Sequence, residues 1–152
     1  MTAPALSFRA ATDADFSRLL ALRKQTMDPH LTAAGLSTGE DAHLRRLSYH
    51  WEDARVILRG DEEVGLLKAY REDAGWYVVQ IQVAPAFQRQ GLGRQALETV
   101  LRRADAENAS VSLSVLKINP AKRLYDSLGF LVASETENDF LMTRPAQGFL
   151  PT

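Results

Sequence analysis

No cysteine occurs in the 152-residue chain, which excludes disulfides, thiolate metal sites and a cysteine nucleophile. Any thiol chemistry must arrive with a cofactor. Nor is there a run approaching the roughly 18 consecutive apolar residues of a membrane span. Residues 1–9 lack the basic start and apolar stretch of a signal peptide, so the expected address is cytoplasmic, with no membrane partner. An excess of one charge is missing too: 18 Lys+Arg face 19 Asp+Glu, for a net charge of -1, and no nucleic-acid partner is expected. Histidine is scarce. His30, His43 and His50 lack neighbours at metal-ligand spacing, so no metal site is expected, and no Ser-His-Asp arrangement can be read.

What the chain does have is 45% hydrophobic and 24% charged residues. That mix fits one folded domain over 1–152, long enough to bury a core unaided. Its most informative segment reads Gln88-Arg89-Gln90-Gly91-Leu92-Gly93-Arg94-Gln95, after an apolar run at 78–83 and before an amphipathic helix. A strand turning sharply into a helix aims unpaired backbone N–H groups and the positive end of the helix dipole at whatever lies above the turn. Gly91 and Gly93 let that ligand approach the backbone closely. The segment is an anion cradle, and the ligand it implies is a phosphorylated cofactor.

Around the cradle the elements follow from periodicity. A strand is expected at 6–11, then a helix capped by Thr12, with Asp13 and Asp15 in its first turn and Phe16, Leu19, Leu20 and Arg23 at helical spacing. Asp28, Pro29 and His30 read as a loop. Thr38 and Asp41 look like a capping box for a second helix whose Leu44, Leu47 and Trp51 share a face. Strands at 54–59, 64–70 and 76–83 form an antiparallel meander with short polar turns. Ala96, Leu97, Val100, Leu101 and Ala104 trace the buried stripe of the helix that follows, ending near Glu107 and Asn108. A strand at 111–116 then lies parallel to 76–83 through a right-handed crossover. Asn119, Pro120 and Gly129 punctuate a short helix, 120–128, with Ala121, Leu124, Tyr125 and Leu128 on its packed face. Strands at 131–135 and 139–143 close the chain as a hairpin, and the tail 145–152 is expected to be disordered or to cross to a neighbour. There is no internal repeat.

Taken together, Gln88-x-x-Gly91-x-Gly93 after a strand, and Asn119-Pro-Ala-x-x-Leu-Tyr125-x-x-x-Gly129-Phe130 roughly thirty residues later, resemble the GNAT superfamily of N-acetyltransferases. The resemblance implies an α/β fold of mixed α+β kind: a twisted, mostly antiparallel seven-stranded sheet with a central parallel pair, flanked by about four helices. The sheet would splay between 76–83 and 111–116, with acetyl-CoA wedged in the gap. Ile81, Gln82 and Val83 would pair through their main chain with the pantetheine arm, and Gln88, Arg89, Gln90, Gly91, Leu92, Gly93 and Arg94 would receive the phosphates. Asn119 would hydrogen-bond the pantetheine arm as well as cap its helix. Tyr125 would stand near the thioester sulfur as proton donor to the departing thiolate.

The resemblance also implies an activity, acetyl transfer to the primary amine of a small molecule or peptide by direct attack, and it leaves room for a homodimer. The chain departs from the family where many members carry a carboxylate on the central strand, for here stand Gln80 and Gln82. Neither amide accepts a proton usefully. Asp28, His30, His50 and Glu52 are the candidate bases off the strand, with a water relay as the default. Gln80, His50 and Glu52 are the candidate acceptor contacts, in a pocket framed by 26–52, the strand ends and the 134–140 hairpin. The missing carboxylate also motivates an alternative: a non-catalytic module that binds or senses acyl-CoA.

Overall fold

Apolar strands joined by tight polar turns generate the first part of the sheet, and two helical connections generate the rest. The computed structural model describes residues 5–147. In chain order it contains β1 (Leu6–Ala10), α1 (Phe16–Ala33), α2 (Glu40–Ser48), β2 (Ala54–Arg59), β3 (Glu62–Arg71) and β4 (Gly75–Val83). There follow α3 (Leu92–Ala106), β5 (Ser110–Leu116), α4 (Ala121–Ser127), β6 (Leu131–Glu135) and β7 (Asp139–Arg144). The strands form one seven-stranded sheet in the order β1-β2-β3-β4-β5-β7-β6. Every pairing is antiparallel except β4 with β5, so the expected architecture is the observed one. Among the described residues no helix is long and apolar enough to cross a membrane.

Two cores flank the sheet. On one face Leu19, Leu47, Ala54, Val56 and Leu66 pack beneath α1 and α2. On the other, the stripe of α3 meets Ile57, Val64, Leu67, Val78, Leu113 and the α4 residue Tyr125. Each of the large apolar side chains among these contributes roughly 1.5–3 kcal/mol by leaving water. Asp105 of α3 receives Arg144 of β7 through two bonds of 2.9 and 3.2 Å, and Arg144 Nε donates to the Leu128 carbonyl. That guanidinium therefore ties α3, the end of α4 and β7 together. Gln147 N also donates to Asp105, and the rest of the tail, 148–152, lies outside the described residues.

The expected loop at Asp28, Pro29 and His30 is instead the last third of α1. Pro29 removes one helical N–H and crowds the turn before it, yet the helix continues to Ala33. Side chains from this turn hold it down: Asp28 accepts a hydrogen bond from His43 Nε2 of α2 at 2.7 Å. The helix stops where a left-handed residue permits it, at Gly35 (φ +72), with Leu36 N donating to Leu31 O and Gly35 N to Thr32 O. α2 is preceded by Gly39, and no side chain caps it, so Thr38 does not form the expected box. Its buried residues are His43 and Leu47, while Trp51 lies beyond the helix in a short 3-10 turn, edge-on to Phe16. Lys68 of β3 finishes α2 instead, donating to the carbonyls of Arg46, Leu47 and Tyr49 at 3.1, 2.7 and 2.7 Å.

Candidate active site

β4 and β5 pair only from Gly75 with Ser110 to Val78 with Leu113. Past that point β5 keeps its bonds to β7 and β4 keeps its bonds to β3, so the two strands fork. The fork starts at a bulge: Lys68 faces Gln80 and Ala69 faces Val78, leaving Val79 as the extra residue. From Val79 onward the β5-facing edge of β4 has no strand partner among the described residues. Those open main-chain groups are a place for an extended ligand to pair.

Just beyond the fork comes the turn. Val83 ends β4, and its carbonyl accepts from Gln88 Nε2 at 2.9 Å. Arg89 (φ +66) and Gly91 (φ +77) are both left-handed, which reverses the chain into α3. Leu92 is buried and anchors the helix start from below, and among the described residues no side chain caps the first turn of α3, so its N–H groups are available. Gly91 is required by its dihedral, since a Cβ there would meet nothing within 4 Å. Gly93 is different. Its backbone is helical, and a Cβ would make only an ordinary 3.7 Å contact with Val83. Nothing in the protein demands glycine at 93, whereas a ligand lying on the helix start would. The side chains of this segment look elsewhere: Gln90 accepts from Arg59 at 2.6 Å, and Arg94 reaches Ser127 at 3.1 Å and Glu98 at 3.2 Å. Gln88, Arg89 and Arg94 are exposed.

Inside the fork lies a cavity of about 400 Å³. Ile81, Gln82 and Gln80 line it from β4, Asn119 and Tyr125 from the α4 side. Asn119 Oδ1 accepts from Ala121 N at 2.9 Å. The cap therefore occupies the side-chain oxygen and leaves the amide N–H groups for another partner. α4 ends in a Schellman motif, with Phe130 N on Tyr125 O and Gly129 N on Asp126 O, and Phe130 stands edge-on to Tyr125 at 5.8 Å. Tyr125 is 8% exposed, and burial alone pushes its phenol up to about 12. The group stays protonated across the physiological range and can donate. Gln80 and Gln82 are buried, and Gln80 Nε2 donates to Gln82 Oε1 at 3.3 Å. Gln80 Oε1 has no partner among the described residues.

The opposite wall comes from α1 and α2 and carries residues that the motifs do not mark. Arg23, His43 and Arg46 line the same cavity. Arg23 is 5% exposed and its Nε lacks a partner among the described residues. Burial, then the like charge of Arg46, lowers its pKa to about 10, against a smaller opposing pull from Asp28. Lys68, fully buried behind this wall, is lowered to about 8 by burial and by the charges of Arg23 and Arg46. A signal for Arg23 was present in the sequence: it falls on the apolar stripe of α1, where a charge needs a reason.

Asp28 thus reaches the site as the partner of His43. His30 sits inside α1, away from the cavity lining. His50 and Glu52 are also outside that lining. His50 is left-handed (φ +54), stacks on Tyr70 with ring centroids 3.7 Å apart, and pairs through Nδ1 with Asp53 at 2.9 Å. His50, Glu52 and Asp53 bring ligand-type atoms within 4.8 Å of one another, but the imidazole nitrogen is already engaged by Asp53.

This geometry has relatives. A model of the acetyltransferase (GNAT) family matches residues 20–130. Among solved structures, an acetyltransferase from Thermus thermophilus is 23% identical, with a TM-score of 0.69 over 95% of this chain and 99% of that one. Ard1 from Thermoplasma volcanium is 19% identical, with a TM-score of 0.70 over 93% and 98%. The PaiA N-acetyltransferase from Thermoplasma acidophilum, solved in complex with coenzyme A, is 14% identical, with a TM-score of 0.69 over 93% and 99%. No curated protein sequence matches significantly, and at these identities the structures attest a shared fold. The family match spans most of the chain, from α1 through the fork to α4: the chain belongs to the acetyltransferase (GNAT) family, whose co-substrate is acetyl-CoA.

Proposed function

We propose that this chain is an acetyl-CoA-dependent N-acetyltransferase that acts on the primary amine of a small molecule or peptide by direct attack. The observation that carries the reading is the fork, where an unpaired β4 edge and a buried tyrosine line one cavity, with an uncapped helix start just beyond the end of β4. The residues fit the co-substrate. The amides of Gly91, Leu92, Gly93 and Arg94 would take the pyrophosphate, with Gln88, Arg89 and Gln90 shaping the turn. The main chain of Ile81, Gln82 and Val83, with the Asn119 amide, would take the pantetheine arm. Acetyl-CoA supplies an activated acyl group whose leaving group is a thiolate.

The chain's own residues then have two tasks. Tyr125, held protonated by burial, donates to the sulfur as charge develops there. Because a thiol has a reference pKa of roughly 8.5, this assistance is worth less than for an alkoxide leaving group. Gln80 receives an N–H of the attacking amine on its unpartnered oxygen. Neither glutamine takes the proton, so the amine enters neutral and its proton leaves through water.

The experiment is the melting temperature of the chain against rising acetyl-CoA, with ATP and NAD as controls, followed by thiol release over amine and peptide panels. A saturating, CoA-selective rise with thiol release is expected. The same rise without release on any acceptor would favour the acyl-CoA-sensing alternative, motivated by the glutamines on β4. An equal rise with all three nucleotides would reduce the turn to a generic phosphate site.

A further inference from the structure

We infer that the acceptor amine carries an anionic group, a carboxylate or a phosphate, received by Arg23 and Arg46 on the α1–α2 wall while Gln80 accepts an N–H of the amine. This rests on the transferase reading and names the class of its acceptor.

The first observation is a buried guanidinium without a counter-ion among the described residues. Arg23 is 5% exposed, lines the cavity, and leaves Nε unbonded among the described residues. Burying a charge is costly unless it is paired. The acid whose charge reaches Arg23 is Asp28, and its carboxylate is held by His43 at 2.7 Å. The carboxylate that does line the cavity, Asp139, is borne by β7, beyond β5 in the sheet. A second guanidinium, Arg46, is exposed and lines the cavity too, close enough to Arg23 for their like charges to interact. Two cations directed at one cavity repel each other until an anion bridges them, and the planar fork of arginine matches carboxylate and phosphate oxygens. Lys68 reinforces the positive field, but its three bonds to carbonyls leave it no donor to spare.

The second observation is independent of charge. Gln80 Oε1 is a buried acceptor with no donor among the described residues, lining the same cavity. One wall therefore asks for an anion and the floor asks for an N–H. An amine that bears a carboxylate or phosphate supplies both, whereas a polyamine or a lysine-like acceptor would place a cation against two others. Cations also disfavour a neighbouring ammonium. The same wall thus presents the amine neutral where β4 offers glutamines in place of a carboxylate.

The test uses the full chain and two readouts. Thiol release at saturating acetyl-CoA is compared for amino carboxylates against their carboxamides, for aminoalkyl phosphates against the parent amino alcohols, and for polyamines. The charged member of the leading pair should exceed its neutral partner in kcat/KM by at least about 100-fold, with polyamines lowest; the leading pair names the anion. Arg23→Met and Arg46→Gln should each cut that preference by at least about tenfold and leave acetyl-CoA affinity unchanged. Arg23→Met should also keep or raise the melting temperature, since an uncompensated buried charge leaves with it, whereas a structural cation would be missed. Calorimetric titration of N-acetylated amino carboxylates, N-acetylated aminoalkyl phosphates and their neutral counterparts into CoA-saturated protein reads the same recognition without turnover. Equal rates on charged and neutral acceptors, with no discrimination in the titration, would overturn this inference and leave the transferase standing. Anion-selective titration with no turnover on any acceptor would support the anion site and overturn the transferase.

Discussion

The two walls of the cavity are built on different rules. The wall proposed for the cofactor, β4 and α4 with the 88–94 turn just beyond the fork, offers the main chain: an open strand edge, helix-start amides, and an asparagine that caps one helix. The wall proposed for the acceptor, made by α1 and α2, offers side chains: Arg23, His43 with Asp28, and Arg46. A backbone site can accept any ligand that carries the right extended arm and phosphate, so its form is generic. A side-chain site is specific to one chain. The division matches a protein that shares its co-substrate with a family and keeps its acceptor to itself.

The largest break in that comparison comes at the point where the walls meet. Tyr125→Phe removes the donor and keeps the packing against Phe130. We expect kcat to fall by about 100-fold, the low end for a positioned proton donor, with acetyl-CoA affinity within about twofold. Stopped-flow or steady-state thiol release measures the first and calorimetry the second. Undiminished turnover would make the cofactor wall a binding surface alone.

Next in size is the bond set that ends α2. Lys68→Met leaves three carbonyls without their donor and should cost about 2–3 kcal/mol of stability. Because burial lowers Lys68 to about 8, below its ordinary 10.5, the unfolded chain holds a proton between those values that the folded chain has released. Wild-type stability therefore rises with pH from about 8 to 10.5 through this group, and below 8 the penalty for the buried charge is fully present. Denaturant titrations at pH 7, 9 and 10.5 should show the deficit of the variant widening with pH. A deficit that narrows would mean that the ammonium, rather than the donor, holds α2. Acetyl-CoA affinity, a property of the other wall, should not move.

Gly93→Ala sharpens the comparison from the cofactor side. The added Cβ meets only Val83, at 3.7 Å, and alanine is the better helix former by about 1 kcal/mol, so the melting temperature should hold or rise. Acetyl-CoA affinity should drop by about tenfold, or about 1.4 kcal/mol. A variant that is stable and still binds acetyl-CoA fully would move the phosphates off this turn.

How much of each wall was legible follows from the same contrast. Gly91 and the Asn119–Pro120 cap with Gly129 leave marks at fixed spacing because each is forced by a dihedral or a backbone bond local to its segment. The strands and the α3 stripe were legible for the same local reason. Pro29 misleads, because the prior against proline inside a helix is about 3 kcal/mol and what overrides it, α1 packed on α2 with Asp28 on His43, is a long-range contact. The local mark of the full helix is Gly35, its stop. Arg46 and His43 reach the cavity only because two helices separated by a loop meet over β4, and no spacing within either helix records that meeting. His50 and Glu52, near each other in sequence and chemically apt, lie outside the cavity lining, where His50 stacks on Tyr70 and pairs with Asp53 and Glu52.

The smallest expected effect concerns how the acceptor wall is fastened to the sheet. Asp15, just before α1, accepts from Arg9 at 2.8 and 3.0 Å, from Thr12 N at 2.8 Å, and from Arg18, while Arg9 and Arg18 both reach Glu63 of β3. These bonds, the Arg9 guanidinium first, hold its carboxyl well below the usual range despite burial. Its contribution is therefore fully present above the unfolded value of about 3.9 and is lost as pH falls toward the much lower folded value. Asp15→Asn keeps the shape but surrenders the charge, and should cost about 1 kcal/mol at pH 7. The difference from wild type should shrink as both proteins are taken below about pH 4. Since α1 carries Arg23, a loosened start should raise KM for the acceptor slightly and leave acetyl-CoA affinity alone. Equal weakening of both substrates would show that the walls move as one body, and the distinction between them would then be one of chemistry without mechanical independence.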